Sequence, residues 1–273
     1  MRLDKVLLVF KKDFIEITRN KEVLLPMIIL PVIFAFLLPA ISVISPENVS
    51  TGTDNQAMVE NILNNLPDNI KAELSEYSAY EKTIYIMLVY FFTPFFLIIP
   101  IMSSSVIASD SFAGEKERNT LEALLATPLT DSELLLGKIL VSFIPGLGVT
   151  FLGALLYMGT VDYLTYETFG KYILPTGTWI VMLLVLAPVI SLLGVGVSVI
   201  VSSRVKGFRE AQQLSAILVV PVLALLFGQA SGLLMLGSIV MIELALVIAL
   251  VDVLVFRVGI RLFQRENILS SSR

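Results

Sequence analysis

The side chains able to act on a partner or an ion gather in one short stretch. Glu115, Lys116, Glu117, Arg118 and Glu122 fall within eight consecutive positions, and Leu121, Leu124 and Leu125 follow at i, i+3, i+4. That spacing puts the leucines on one edge of a short amphipathic helix. Its acids lie outside the apolar runs on either side, so the chemistry on offer is ion pairing. Pro128 ends the helix, since proline has no N–H to donate and disfavours helix in the residue before it. Thr130 and Glu133 then have capping-box spacing, with Leu129 and Leu134 placed as the staple. Two readings fit this piece: a handle for a soluble partner, or a solvated loop helix.

Glu243 is the sharpest single residue. It lies eleven residues into the last apolar run, and no basic residue is placed at that depth. An unpaired carboxylate at mid-membrane costs at least ~2.5–3 kcal/mol on insertion scales. It can serve as structural glue to a Ser or Gln on a neighbouring helix, or as a substrate or ion site. Asp252 is nine positions on, which on a helix puts it on the opposite face, so the two acids form no acid/base pair. Asp252 is expected near the membrane interface, paired with a basic loop residue. Covalent chemistry has few candidates. The chain has no cysteine and no histidine, which removes thiol nucleophiles, disulfides, Ser-His triads and His- or Cys-ligated metals. No G-x-x-x-x-G-K-[ST] phosphate loop occurs, so any nucleotide is hydrolysed by another chain.

The elements that must position these residues are membrane spans. Of the 273 residues, 56% are hydrophobic and only 15% charged, against roughly 25% charged in soluble domains, and the mean hydropathy is +0.87. Apolar runs at 23–44, 84–109, 134–158, 177–201, 211–229 and 232–256 each approach the ~20 residues needed to cross a bilayer. Lipid supplies no hydrogen bonds, so each must be a helix. Before them, Leu3, Val6, Leu7, Phe10, Phe14 and Ile17 repeat at helical steps, with Lys5, Lys11, Lys12, Arg19 and Lys21 on other faces. Residues 1–22 therefore read as an interfacial amphipathic helix attracted to anionic lipid. They precede an apolar run too long for a cleavable signal peptide.

Of the 19 Lys and Arg, all but Lys71, Lys82 and Lys171 fall in segments on the side of the two termini, so both termini are expected in the cytosol. Residues 45–82 form the one sizeable external loop. Met58, Ile62 and Leu66, then Ile70, Leu74 and Tyr77, suggest two short helices on the membrane face with Pro67 between them, under an acidic, solvated cap. Asn48-Val49-Ser50 matches a glycosylation sequon, a frequent chance match. Tyr163, Tyr166, Phe169, Tyr172 and Trp179 read as an interfacial aromatic belt. Pro26, Pro31, Pro39, Pro94, Pro100, Pro145, Pro188 and Pro221 lie inside spans, and each frees a carbonyl and bends its helix. Gly194, Gly196, Ser191 and Ser198 permit close helix packing.

The run Ser109-Asp110-Ser111-Phe112-Ala113-Gly114-Glu115-Lys116-Glu117-Arg118-Asn119-Thr120-Leu121-Glu122, continued by Leu125-Ala126-Thr127-Pro128-Leu129 and Leu136-Gly137-Lys138, resembles the signature of permease subunits of type-2 ABC exporters. Among them it is most similar to the sodium-efflux and multidrug-like permeases. Lys12-Asp13-Phe14, residues 202–213 and residues 263–269 resemble the family too, so the likeness covers nearly the whole chain except the external loop. Asn119 departs from the glycine or basic residue expected there.

The resemblance implies that residues 110–127 carry a coupling helix seated in a cleft of an ATPase subunit. Gly114, Glu115, Lys116, Glu117, Arg118, Thr120, Leu121 and Glu122 would be its contact residues. It also implies that the second and fifth spans line a pathway at a dimer interface. Ser103, Ser104, Phe95, Gln212 and Gln213 would then face the route, although aromatics of the second span such as Phe95 also fit a lipid-facing surface. Glu243 is a pathway candidate by its own depth in the last run, apart from the resemblance. The expectation is one all-α membrane domain over residues 1–273: six transmembrane helices, the interfacial helix and the coupling helix. It would be a non-enzymatic permease of the plasma membrane, dimerising with a like or unlike permease subunit and pairing with ABC ATPase subunits. ATP and Mg would bind the ATPase, no metal or cofactor this chain, and no nucleic acid is implicated. The alternatives are an ion-coupled secondary transporter using Glu243 and a membrane scaffold.

Overall fold

The computed structural model describes residues 2–44, 60, 62–66, 71, 74–120, 124, 127–231 and 236–262. Among these residues there is no strand. Helix α1 (Leu3–Arg19) precedes six helices long and apolar enough to cross a membrane. They are α2 (Lys21–Val43), α3 (Ala79–Glu117), α4 (Asp131–Phe169), α5 (Gly177–Arg204), α6 (Phe208–Ala230) and α7 (Ser238–Leu262).

Local sequence explains the helix ends. Asn20 separates α1 from α2, and its side chain accepts from the Glu22 N–H. Thr130 and Glu133 form the capping box their spacing predicts, at the start of α4. Gly170, with φ of 66°, closes the same helix in the left-handed conformation that glycine adopts without steric cost. The π-helical stretches Ile33–Leu37, Ile86–Phe91 and Met182–Leu186 end shortly before Pro39, Pro94 and Pro188. A proline removes one ladder bond and crowds the preceding turn, which widens to accommodate it.

Helix α3 is the axis of the bundle. Of its most apolar stretch 89% is buried inside the chain, against 17–50% for the other five. Helices α4 and α5 pack along it, α2 and α6 flank it, and α7 lies on α5. The last pair runs parallel: Thr178 meets Ser238 near one end, and Gly196 approaches Val255 and Phe256 near the other. Small residues set the spacing. A methyl on Gly146 or Gly194 would press on Ser104 of α3, and one on Gly137 would sit 2.7 Å from the Val9 side chain of α1. Helix α1 thus lies directly on α4, with Val6, Val9, Asp13 and Ile17 inward and Leu3, Leu7, Leu8 and Phe14 exposed.

Several expectations are corrected. Helices α3 and α4 run 39 residues each, about 58 Å at 1.5 Å per residue, because their polar ends are paired and stay helical. Trp179 is no belt residue: it is fully buried, stacked on Tyr157 at 5.0 Å and edge-on to Phe96. Tyr163 and Tyr172 do stay exposed. Tyr85, Tyr90, Phe92 and Phe96 of α3 face the core rather than lipid, because neighbouring spans surround this helix. The segment expected as an external loop is more than a solvated cap where it is described, since Ile62, Leu66 and Leu74 enter the main apolar core. Met58, Pro67 and Ile70, and residues 263–269, lie outside the described residues.

The α1–α4 contact sets one expected outcome. Gly137→Ala should cost about 1–3 kcal/mol through overpacking, read as a lower Tm. Gly148→Ala and Gly159→Ala, where an added methyl meets open space, should leave Tm unchanged or raise it.

Candidate functional site

The resemblance-bearing stretch is held by a buried ionic cluster. Lys138, near the start of α4, has no exposed surface. Its ammonium donates to Glu115 Oε2 at 2.6 Å, Asp13 Oδ2 at 3.3 Å, and both the carbonyl and the hydroxyl of Ser111. The Ser111 hydroxyl donates in turn to Asp13 Oδ2 at 2.7 Å. Lys12 closes the other side, 3.0 Å from Asp13 Oδ1, 3.4 Å from Glu16 and in direct contact with Glu115. Arg118 then bridges Asp110 at 3.0 Å and Glu16 at 2.8 Å, while Asn20 donates to Asp110. Helix α1, the end of α3 and the start of α4 are thereby fused at one point.

Burial and ion pairing oppose each other at Asp13. Desolvation pushes its carboxyl up, but Lys138, then Lys12 and the Ser111 hydroxyl, hold it below the usual carboxylate range. At Lys12 burial pushes the ammonium down, and Glu115 and Asp13 more than offset this, so it titrates above an ordinary lysine. Carboxylate oxygens of Asp13, Glu16 and Glu115 lie within 4.8 Å of one another, a metal-ligating arrangement in donor type. The Lys12 and Lys138 ammonium groups already stand among them and supply the balancing positive charge.

The next residues reach the start of α6. Lys116 donates to the Val205 carbonyl, and Glu117 accepts the Phe208 N–H at 2.9 Å, capping the start of α6. A methyl on Gly114 would lie 2.8 Å from Asp110 Oδ1 and 3.0 Å from Arg118, which accounts for a residue without a side chain there. Thr120 folds back to the Glu115 carbonyl. Asn119 has φ of 55°, a conformation open to glycine and asparagine but costly for branched residues. Its turn, with Arg118 to Thr120 exposed, is the described tip of the connection.

This corrects the picture of a free charged helix from Glu115 onward. Helix α3 itself continues to Glu117, Glu115 is buried, and Lys116, Glu117 and Arg118 have partners inside the chain. Leu124 packs on the apolar cluster of Val9, Phe112 and Leu134. Leu121, Glu122 and Leu125 lie outside the described residues.

The pathway candidates do not come together. Ser103 and Ser104 are buried between helices, with the Ser104 hydroxyl donating to the Pro100 and Ser191 carbonyls. Phe95 is half-buried against Phe34, Phe91 and Phe92. Gln212 is half-buried and Gln213 exposed on α6. Glu243 is exposed and only the sixth residue of α7, since that helix starts at Ser238 rather than Gly232. It therefore sits closer to a helix end than expected. Among the described residues Asp252 does not reach a basic loop residue: it is buried, and neither oxygen has a donor there.

Six apolar spans around one buried central helix, with a charged connection locked into them, mark an integral membrane protein. The family model described as "ABC-2 family transporter protein" matches residues 7–253, and the chain belongs to that family. No curated protein matches it. Sequence reasoning missed the cluster, although one signal pointed to it. Asp13 falls on the inward stripe Val6, Val9, Asp13, Ile17, where an acid needs a buried counter-charge.

Lys138→Met should destabilise the protein by about 3–5 kcal/mol, the usual effect of removing one partner of a buried ion pair. Adding Asp13→Asn and Glu115→Gln should recover most of that loss, measured as Tm in detergent. The pH dependence has a definite sign. Asp13 binds its proton later when folded, so its stabilisation is full above about pH 4 and drains away as pH falls. Lys12, titrating higher when folded, contributes fully below about pH 10 and loses its effect as pH rises. The stability gap between wild type and Asp13→Asn should accordingly close on acidification.

Proposed function

We propose that the chain is the permease subunit of an ATP-driven exporter, pairing with a second permease subunit and with separate ATPase subunits. The observation that carries this is the ionic cluster around Lys138. A surface receiving mechanical work from another protein must be rigidly joined to the helices it moves. The connection between α3 and α4 is joined to α1 and α4 through Lys138 and to the start of α6 through Lys116 and Glu117. ATP and Mg belong to the partner, which docks on the Arg118–Thr120 tip and the residues after it.

The cluster sits at the end of the bundle where Lys and Arg concentrate, which supports placing that end and both termini in the cytosol of a plasma-membrane protein. Closure of the ATPases would push the tip, and the paired charges would pass the displacement to three other helices. Glu243, exposed and near the start of α7, offers an ion-coupled cycle no enclosed site.

The chain is free of cysteine, so single thiols report topology cleanly. Ser50→Cys should be labelled by an impermeant reagent added outside sealed cells, and Asn119→Cys should be protected. The opposite pattern overturns the orientation. Purification from the native membrane should bring an ATPase with the chain. Asn119→Gly should keep its capture, while Asn119→Val, disfavoured at positive φ by roughly 1–2 kcal/mol, should weaken it about tenfold. Equal capture by wild type, Gly and Val variants would remove the tip from the docking surface.

A further inference from the structure

Helix α3 is interrupted at Phe92, between the π-helical stretch Ile86–Phe91 and the short turn Thr93–Phe96. Pro94 has no N–H to return to the carbonyl of Tyr90. Three consecutive carbonyls at this break are met by side chains from three different spans. Tyr157 of α4 donates to Leu88 at 2.7 Å, Trp179 of α5 to Val89 at 3.0 Å, and Gln229 of α6 to Tyr90 at 2.7 Å. The Thr93 hydroxyl adds a second donor to Val89.

The three donors are not equivalent. Tyr157 and Trp179 are fully buried, stacked on each other and both packed on Phe96, which makes α3, α4 and α5 one block at this level. Gln229 stands apart. Its span presents a narrow buried seam, Val222, Leu226 and Gln229, with Val220 and Phe227 exposed beside it. Among the described residues the amide is only half satisfied: Nε2 donates to Tyr90, while the buried Oε1 has no partner. Such a polar group holds its site less firmly than a fully paired one. The other end of α6 is tied to the α3–α4 connection through Glu117, and between the ties lie a 3-10 turn, Ala216–Leu218, and Pro221. A change of helix type followed by a proline is where a helix bends.

The geometry points to α6 as the moving lever of this permease, with the Gln229–Tyr90 hydrogen bond as its releasable latch. A displacement entering at Glu117 moves the near end of α6, the segment from Ala216 to Pro221 bends, and Gln229 leaves the Tyr90 carbonyl. Tyr157 and Trp179 meanwhile keep the broken turn of α3 in place. Gln229 is a positioning residue in this scheme.

The inference rests on the exporter reading, and its test separates the two. Spin labels on Tyr80→Cys at the start of α3 and Ser231→Cys at the end of α6, both exposed, report the separation of the helices in lipid vesicles. Without nucleotide, Gln229→Leu should shift the distances longer than in the latched parent carrying Gln229. Tyr157→Phe, which removes a donor from the fixed block, should not. Gln229→Glu should resemble Gln229→Leu at high pH and return toward the parent at low pH, where a protonated carboxyl again donates to Tyr90. This variant also carries the test should Gln229→Leu fail to fold. Parent-like distances for Gln229→Leu, or a Gln229→Glu distance that ignores pH, overturn the latch. If the substitutions behave as expected but nucleotide on the assembled complex leaves the parent distances unchanged, the latch stands and the ATP-driven reading falls.

Discussion

One buried ammonium group sets the terms for this protein. Lys138 has no contact with solvent, and an isolated charge in that position would cost several kcal/mol in desolvation. It is tolerated because Asp13 and Glu115 face it and Ser111 supplies further acceptors. The partners come from α1 and from the end of α3, so satisfying the charge also fixes α1 against α4 and both against the end of α3. Gly137, beside the same site, lets α1 approach closely enough for the pairing to form. A buried ion pair is a poor source of net stability compared with apolar packing. Its value here is geometric, because few other arrangements of these helices leave no charge unpaired.

Backbone polar groups impose the second constraint. Prolines inside the spans free carbonyls that lipid cannot satisfy. The chain answers by widening turns ahead of Pro39, Pro94 and Pro188, and at the α3 break by bringing donors from α4, α5 and α6. The buried aromatic and amide side chains there do for the far end of the bundle what the ion cluster does at the other. Between them, Ser104 lies against Gly146 and Gly194, where small residues let three helices meet closely.

The spans were legible in the sequence because crossing a bilayer demands long apolar runs, and no other local arrangement satisfies their backbone. The Thr130–Glu133 cap was legible for the same reason: its chemistry is complete within four residues. The cluster was not. Asp13 and Lys138 are 125 positions apart, and neither carries a mark of its partner beyond its place on an otherwise apolar stripe. Lys138 reads as one more basic residue at a membrane edge, and Glu115 as one more solvated acid. Trp179 and Asp252 misled in the same way, because an aromatic or an acid near a span end can turn to the interface or to the core. Only the surrounding helices decide which.

In the proposed exporter, α1 and the α3–α4 connection form one rigid body through which work from an ATPase enters the spans. The most direct test is the distance between labels on Leu8→Cys, on the exposed face of α1, and Asn119→Cys at the tip, in the assembled complex with and without trapped nucleotide. That distance should stay fixed and narrow in both states while distances from the tip to the end of α6 beyond Pro221 change. A Leu8–Asn119 distance that changes or broadens when nucleotide binds would contradict the single rigid body.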